Sequence, residues 1–125
     1  MSYLLDTTLI VQHVNGDPGA VQMVRRLFEE TGDLFTCDVI TCEALSGGSD
    51  EERRDSAMLL DALEYVAIDP EAARWAGTKR LQLGQTSRRG VGDALIAATA
   101  WRLGATVVTR NRADFERFGV PVLDY

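Results

Sequence analysis

Apolar residues along this chain fall into two rhythms: short continuous runs, which fit buried strands, and runs at helical spacing. Residues 2–5 form a brief apolar run ending at Asp6, and residues 7–14 continue with helical character. Residues 15–19, Asn-Gly-Asp-Pro-Gly, read as a turn, and Asp17 before Pro18 marks a helix start. Asp caps free amides there, and Pro suits a first helical turn. Val21, Val24, Leu27 and Phe28 recur at helical spacing until Gly32. Residues 34–37 read as a second strand, and residues 39–45 as a helix with Val39, Cys42 and Leu45 along one side. After Gly47 and Gly48, Ser49 or Asp50 opens a helix whose buried side is expected to carry Met58, Leu59, Leu60 and Leu63. Residues 65–68 read as a third strand. Pro70 opens a helix to about Leu83, with Ala73, Ala76 and Leu83 as packing positions. A polar loop with Arg88 and Arg89 spans residues 84–92. An apolar helix runs from Asp93 to its stop at Gly104, followed by strands at 105–109 and 121–123.

Strands alternating with helices predict an α/β fold in three layers, a central parallel sheet with helices on both faces. At 125 residues the expectation is one domain, able to bury roughly two-thirds of its unfolded surface without a disulfide or metal staple. No repeat or linker interrupts it. No apolar run approaches the ~20 residues that cross a bilayer. The first residues lack the basic-then-apolar order of a secretion signal, so no membrane association and a cytoplasmic location are expected.

The net charge of −6 is unevenly spread. Residues 1–70 carry four arginines against fourteen acids, a net −10, and residues 71–125 carry nine Lys or Arg against five acids, a net +4. An acidic total therefore still leaves room for a local positive field of the kind that RNA phosphates need. Cys37, Cys42 and His13 are too few for a zinc site, and both thiols are expected to be buried and free.

Asp6 follows the first strand, Glu43 sits on the helix after the second, Asp93 begins the helix leading into the fourth, and Asp114 lies shortly after that strand. In parallel sheets, ligands bind at the carboxyl ends of the strands, where this topology gathers distant residues. Each acid also has a plain role open to it. Asp6, Asp93 and Asp114 can be helix caps, and Glu43 a solvated helix residue. As a set, oxygen ligands on strand ends and helix starts suit Mg²⁺ or Mn²⁺. Such ions activate water and stabilise the leaving oxygen of a phosphodiester.

The local sequences around these acids are more specific. Leu4-Leu5-Asp6-Thr7-Thr8-Leu9-Ile10, Thr41-Cys42-Glu43-Ala44-Leu45, Gly92-Asp93-Ala94-Leu95-Ile96-Ala97-Ala98 and Val107-Val108-Thr109-Arg110-Asn111-Arg112-Ala113-Asp114-Phe115 resemble the PIN-domain family. More narrowly, they resemble the VapC-type toxins of bacterial toxin–antitoxin pairs, in the same order along nearly the whole chain. The resemblance implies a PIN-like α/β/α fold, Mg²⁺- or Mn²⁺-dependent RNA cleavage, homodimers, and inhibition by a small antitoxin protein. Asp6, Glu43 and Asp93 match the family's main acids. Its fourth acid falls at the position of Asn111 or of Asp114, and with Asn111 neutral, Asp114 is the better candidate. Thr7, Thr109 and Asn111 are supporting residues, and Arg88, Arg89, Arg110 and Arg112 are candidate phosphate contacts.

Two other readings share the position of the first Asp. A haloacid-dehalogenase-like phosphatase needs a second Asp two residues on, where Thr8 stands, and a phosphoacceptor receiver needs an adjacent acidic pair that is missing. A non-catalytic PIN-like binding module is the third alternative, and the presence of all four acids argues against it.

Overall fold

Five parallel strands form one sheet in a computed structural model that describes residues 1–125. β1 (Ser2–Leu5) is central; β2 (Asp33–Cys37) and β3 (Glu64–Val66) extend to one side, β4 (Thr106–Val108) and β5 (Val122–Leu123) to the other. Leu4 pairs with Phe35 of β2 and with Val107 of β4. Tyr3, Leu4 and Leu5 are all buried, which is why β1 reads as a continuous apolar run and not as an alternation.

The connections explain the layers. The chain moves outward from β1 to β3 through α1 (Thr7–Val14), α2 (Pro18–Glu29), α3 (Asp38–Ala44) and α4 (Asp50–Asp61). It then returns across the sheet through α5 (Pro70–Gln82) and α6 (Val91–Leu103) to β4, and through α7 (Arg112–Glu116) to β5. Right-handed crossovers made in opposite directions place the two helix groups on opposite faces. The direction reverses between β1 and β4, so a crevice opens there at the strands' carboxyl ends. This order also sets the three strands of the acidic stretch, β1 to β3, on one side of the crevice and the two strands of the basic remainder, β4 and β5, on the other.

Caps fall where the sequence marks them. Asp17 accepts the Ala20 amide at 3.0 Å, Asp69 accepts Ala72 at 2.8 Å, and Ser49 and Glu52 form a reciprocal capping box. Several helical faces are rotated from the expected ones. Met23 is buried in α2 while Phe28 is exposed; Ser56 and Leu60 are buried in α4 while Met58 is exposed. In α5 the buried pair is Ala72 and Ala76, leaving Ala73 and Leu83 outside, and in α3 it is Ile40 and Ala44, leaving Cys42 and Leu45 outside. Only Cys37 of the two thiols is therefore buried. The reason is common to all four: several apolar residues in one turn fit more than one stripe, and packing against the sheet selects the phase.

Candidate active site

Asp6 sits where β1 ends and α1 begins, 3% exposed, on the β1 side of the crevice. One carboxylate oxygen accepts the Thr7 amide at 2.8 Å and so caps α1; the other accepts the Thr109 hydroxyl, also at 2.8 Å. Its own amide donates to the Val108 carbonyl at 3.1 Å. Capping and a place at the crevice are thus two uses of one side chain. Thr109, fully buried just beyond β4, also accepts the Asn111 amide at 3.0 Å, and the Asn111 side chain donates to the Thr8 hydroxyl at 3.3 Å.

Glu43 reaches the same place from α3. The Thr7 hydroxyl donates to it at 2.6 Å, and its other oxygen lies against Gly92, where an added Cβ would stand only 2.9 Å away. Asp93 is the third residue of α6, half-buried, and not its cap. Gly90 holds that position in a left-handed conformation (φ 79°) with no side-chain bond. Asp114 lies inside α7, likewise not at its cap.

Electrostatics ties the four acids together. Burial pushes Asp6 up from the ordinary 3.8 to about 6, with the charges of Asp93 and Glu43 adding to it and the bonds from Thr109 and Thr7 opposing. Burial likewise raises Asp93, reinforced by Asp114 and Glu43 and opposed by Arg117. No three His, Cys, Asp or Glu side chains stand close enough to clasp a metal ion as they lie. The donor set still fits Mg²⁺ or Mn²⁺. It consists of carboxylates alone, and Mg²⁺ keeps several waters and takes only one or two protein carboxylates.

Two of the four arginines expected to meet phosphate are engaged elsewhere. Arg110 pairs with Asp17 at 2.8 Å and lies over the Tyr125 ring, and Arg112 pairs with Glu116. Their charge is spent locally because each has a carboxylate within helical or crossover reach. Arg88 and Arg89 stay exposed on the loop before α6, free of ion pairs. Arg117, which the sequence reading missed, borders the site. It follows Asp114 by three residues, a helical spacing that was available as a signal. A polar cavity of about 600 Å³, lined by Asp93, Asp114, Arg89, Arg117 and the loop, opens on this side. An apolar one of about 460 Å³, lined by Val39, Cys42, Glu43, Ile68 and Leu95 among others, opens beside α3.

Comparison with known proteins places the chain in a family. The PIN domain family profile matches residues 3–121. Ribonuclease VapC11 of Mycobacterium tuberculosis is 35% identical over 120 residues, covering 90% of this chain and 88% of its own. Ribonuclease VapC19 of the same species is 28% identical over 117 residues, covering 92% and 93%. Among solved structures, VapBC2 from Rickettsia felis, bound to a promoter DNA fragment, superposes with a TM-score of 0.82 at 23% identity, covering 99% of this chain and 98% of that one. The chain belongs to the PIN-domain family, and within it to the VapC ribonucleases.

Proposed function

We propose that this protein is the toxin of a type II toxin–antitoxin pair, an endoribonuclease that hydrolyses RNA phosphodiester bonds with Mg²⁺ or Mn²⁺. The observation that carries the reading is the gathering of acids at the β1/β4 crevice, where the charge of Glu43 helps raise both Asp6 and Asp93 above their ordinary values. Asp6 and Asp93 would hold the ion, with Glu43 and Asp114 beside them. When bound, such an ion lowers the pKa of a water and stabilises charge on the phosphoryl oxygens. The chain's own part is positioning. Thr109 fixes the Asp6 carboxylate and Thr7 fixes Glu43, so the acids present their oxygens without reorganising. Water adds across one P–O bond, and the departing sugar oxygen takes up a proton.

Cleavage of a structured RNA by the purified protein, with Mn²⁺ or with EDTA, tests this directly. Asp6→Asn, Glu43→Gln and Asp93→Asn should each abolish cleavage while the protein stays folded, and Asp114→Asn should do less damage. Wild-type rates in any of the first three would contradict the assignment. Phosphatase activity on p-nitrophenyl phosphate with no cleavage of RNA would replace the reading altogether.

The partners follow from the same reading: RNA as substrate, a second copy of the chain as a homodimer, and a small antitoxin. The solved structures with this fold include VapBC toxin–antitoxin complexes. An antitoxin Arg or Lys among the carboxylates would both hold the partner and exclude the cation. Co-expression with the neighbouring small open reading frame should relieve growth arrest, and a protein harmless by itself would contradict the toxin role.

A further inference from the structure

The polar cavity beside Asp93 and Asp114 has no hydrophobic residue in its lining, so it offers nothing to a base and much to a phosphate. Two arginines border it, Arg89 from the loop and Arg117 just beyond α7. Neither is paired with a carboxylate, although five other arginines of the chain are. The Arg117 Nε–H donates to the Asp114 carbonyl at 3.2 Å, which aims the guanidinium along the cavity wall. Its terminal nitrogens bond the neutral Gln85 side-chain oxygen, at 3.1 and 3.3 Å in the amide orientation that satisfies both groups, and its guanidinium lies over the Phe118 ring at 5.4 Å, so no carboxylate takes up its charge. The loop that carries Arg89 is itself fastened: Arg80 donates to the carbonyls of Ser87 and Arg89. One guanidinium held in place, Arg117, and a second on a fastened loop, Arg89, line a polar space next to the acidic centre and suit an anion there.

We propose that Arg89 and Arg117 hold the RNA phosphate next to the one that is cut, anchoring the strand on the α6–α7 side of the acids. This rests on the ribonuclease reading above. Simple balancing of the Asp93 and Asp114 charges is the competing role, and it differs in consequence. A balancing arginine contributes to stability and touches no substrate, whereas a phosphate anchor governs substrate binding and its salt dependence.

Steady-state cleavage of a short single-stranded oligoribonucleotide with Mn²⁺, over a range of salt, separates the two. Arg89→Gln and Arg117→Gln are compared with wild type and with Arg25→Gln, a change at an exposed position on α2. Each of the first two should raise KM roughly tenfold, the cost of one charge-assisted bond, with kcat little changed. Each should also make the dependence of log KM on log salt shallower by about 0.7, one phosphate's worth for a single strand. Arg25→Gln should change neither. If Arg117→Gln fails to fold, Arg89→Gln decides, since Arg89 is exposed on a loop. Wild-type KM and salt slope in the folded variants, or a loss confined to kcat, overturn the anchor and leave the ribonuclease reading standing. A wild-type protein that cuts no RNA with either ion overturns both.

Discussion

At the scale of single residues, Asp6 shows a site built at a cost to the fold. Its pKa of about 6 against an ordinary 3.8 means that the folded chain holds the proton more tightly than the unfolded chain. The sign follows: this group costs nothing below about pH 4, and stability falls as pH rises through about 6. The full penalty above that is on the order of 3 kcal/mol. Asp6→Asn keeps an oxygen for the Thr7 amide and a polar neighbour for Thr109, so it should remove most of this slope. Urea denaturation at pH 4.5 and 7.5 checks it. An unchanged slope in the variant would place the pH dependence elsewhere. The position of Asp6 was legible, because an acid after an apolar strand in a parallel-sheet pattern has few places to go. Its double use as cap and site residue was not, since the Thr109 contact spans 103 positions in sequence. Arg110 shows the opposite limit: its partner Asp17 lies 93 positions away, so its neutralisation had no local sign.

At the scale of elements, α3 and α6 meet because Gly92 has no side chain, which lets Glu43 lie against the first turn of α6. Gly92→Ala should therefore separate stability from activity. Alanine favours a helix interior by about 1 kcal/mol over glycine, so the melting temperature should hold or rise. The new methyl, 2.9 Å from a Glu43 oxygen, pushes the carboxylate aside, and RNA cleavage should fall tenfold or more, roughly what an ångström of misplacement costs. Thermal melts and cleavage rates on one preparation test both halves, and full activity would show that Glu43 has room to move. Element order and type were legible from apolar rhythm and caps, as Ser49 with Glu52 and Asp17 with Pro18 show. Helical phase was less so. Met58, Leu59 and Leu60 are consecutive, and only packing on the sheet decides that Leu60 turns inward. The start of α6 shifted because Gly90, a residue without a capping side chain, begins it through a left-handed turn that no pattern of polar caps marks.

At the scale of the whole molecule, the separate strains on Asp6 and Asp93 combine into one prediction about stability, metal and pH. Both acids are raised above their ordinary values, so both resist ionisation in the metal-free fold. A divalent ion bound by the folded chain alone stabilises it by about 2.7 kcal/mol at a hundredfold excess over its Kd. The ion must displace protons to bind, so its effect depends on pH. At pH 5 Asp6 still holds its proton, and Mn²⁺ should raise the melting temperature little. At pH 7.5 it has lost the proton, and the same concentration should raise the melting temperature by several degrees. Metal-free stability should run the other way and be lower at pH 7.5 than at pH 5. Asp93→Asn removes one strained charge and one ligand at once, so it should melt higher than wild type in EDTA yet respond less to Mn²⁺. A helix-capping Asp would have given a nearly neutral substitution with its metal response intact, but here Gly90 occupies the cap. Melting curves of both proteins, in EDTA and in Mn²⁺ at the two pH values, carry the test. Equal shifts in wild type and variant would take Asp93 out of the metal site, and a shift independent of pH would take out Asp6.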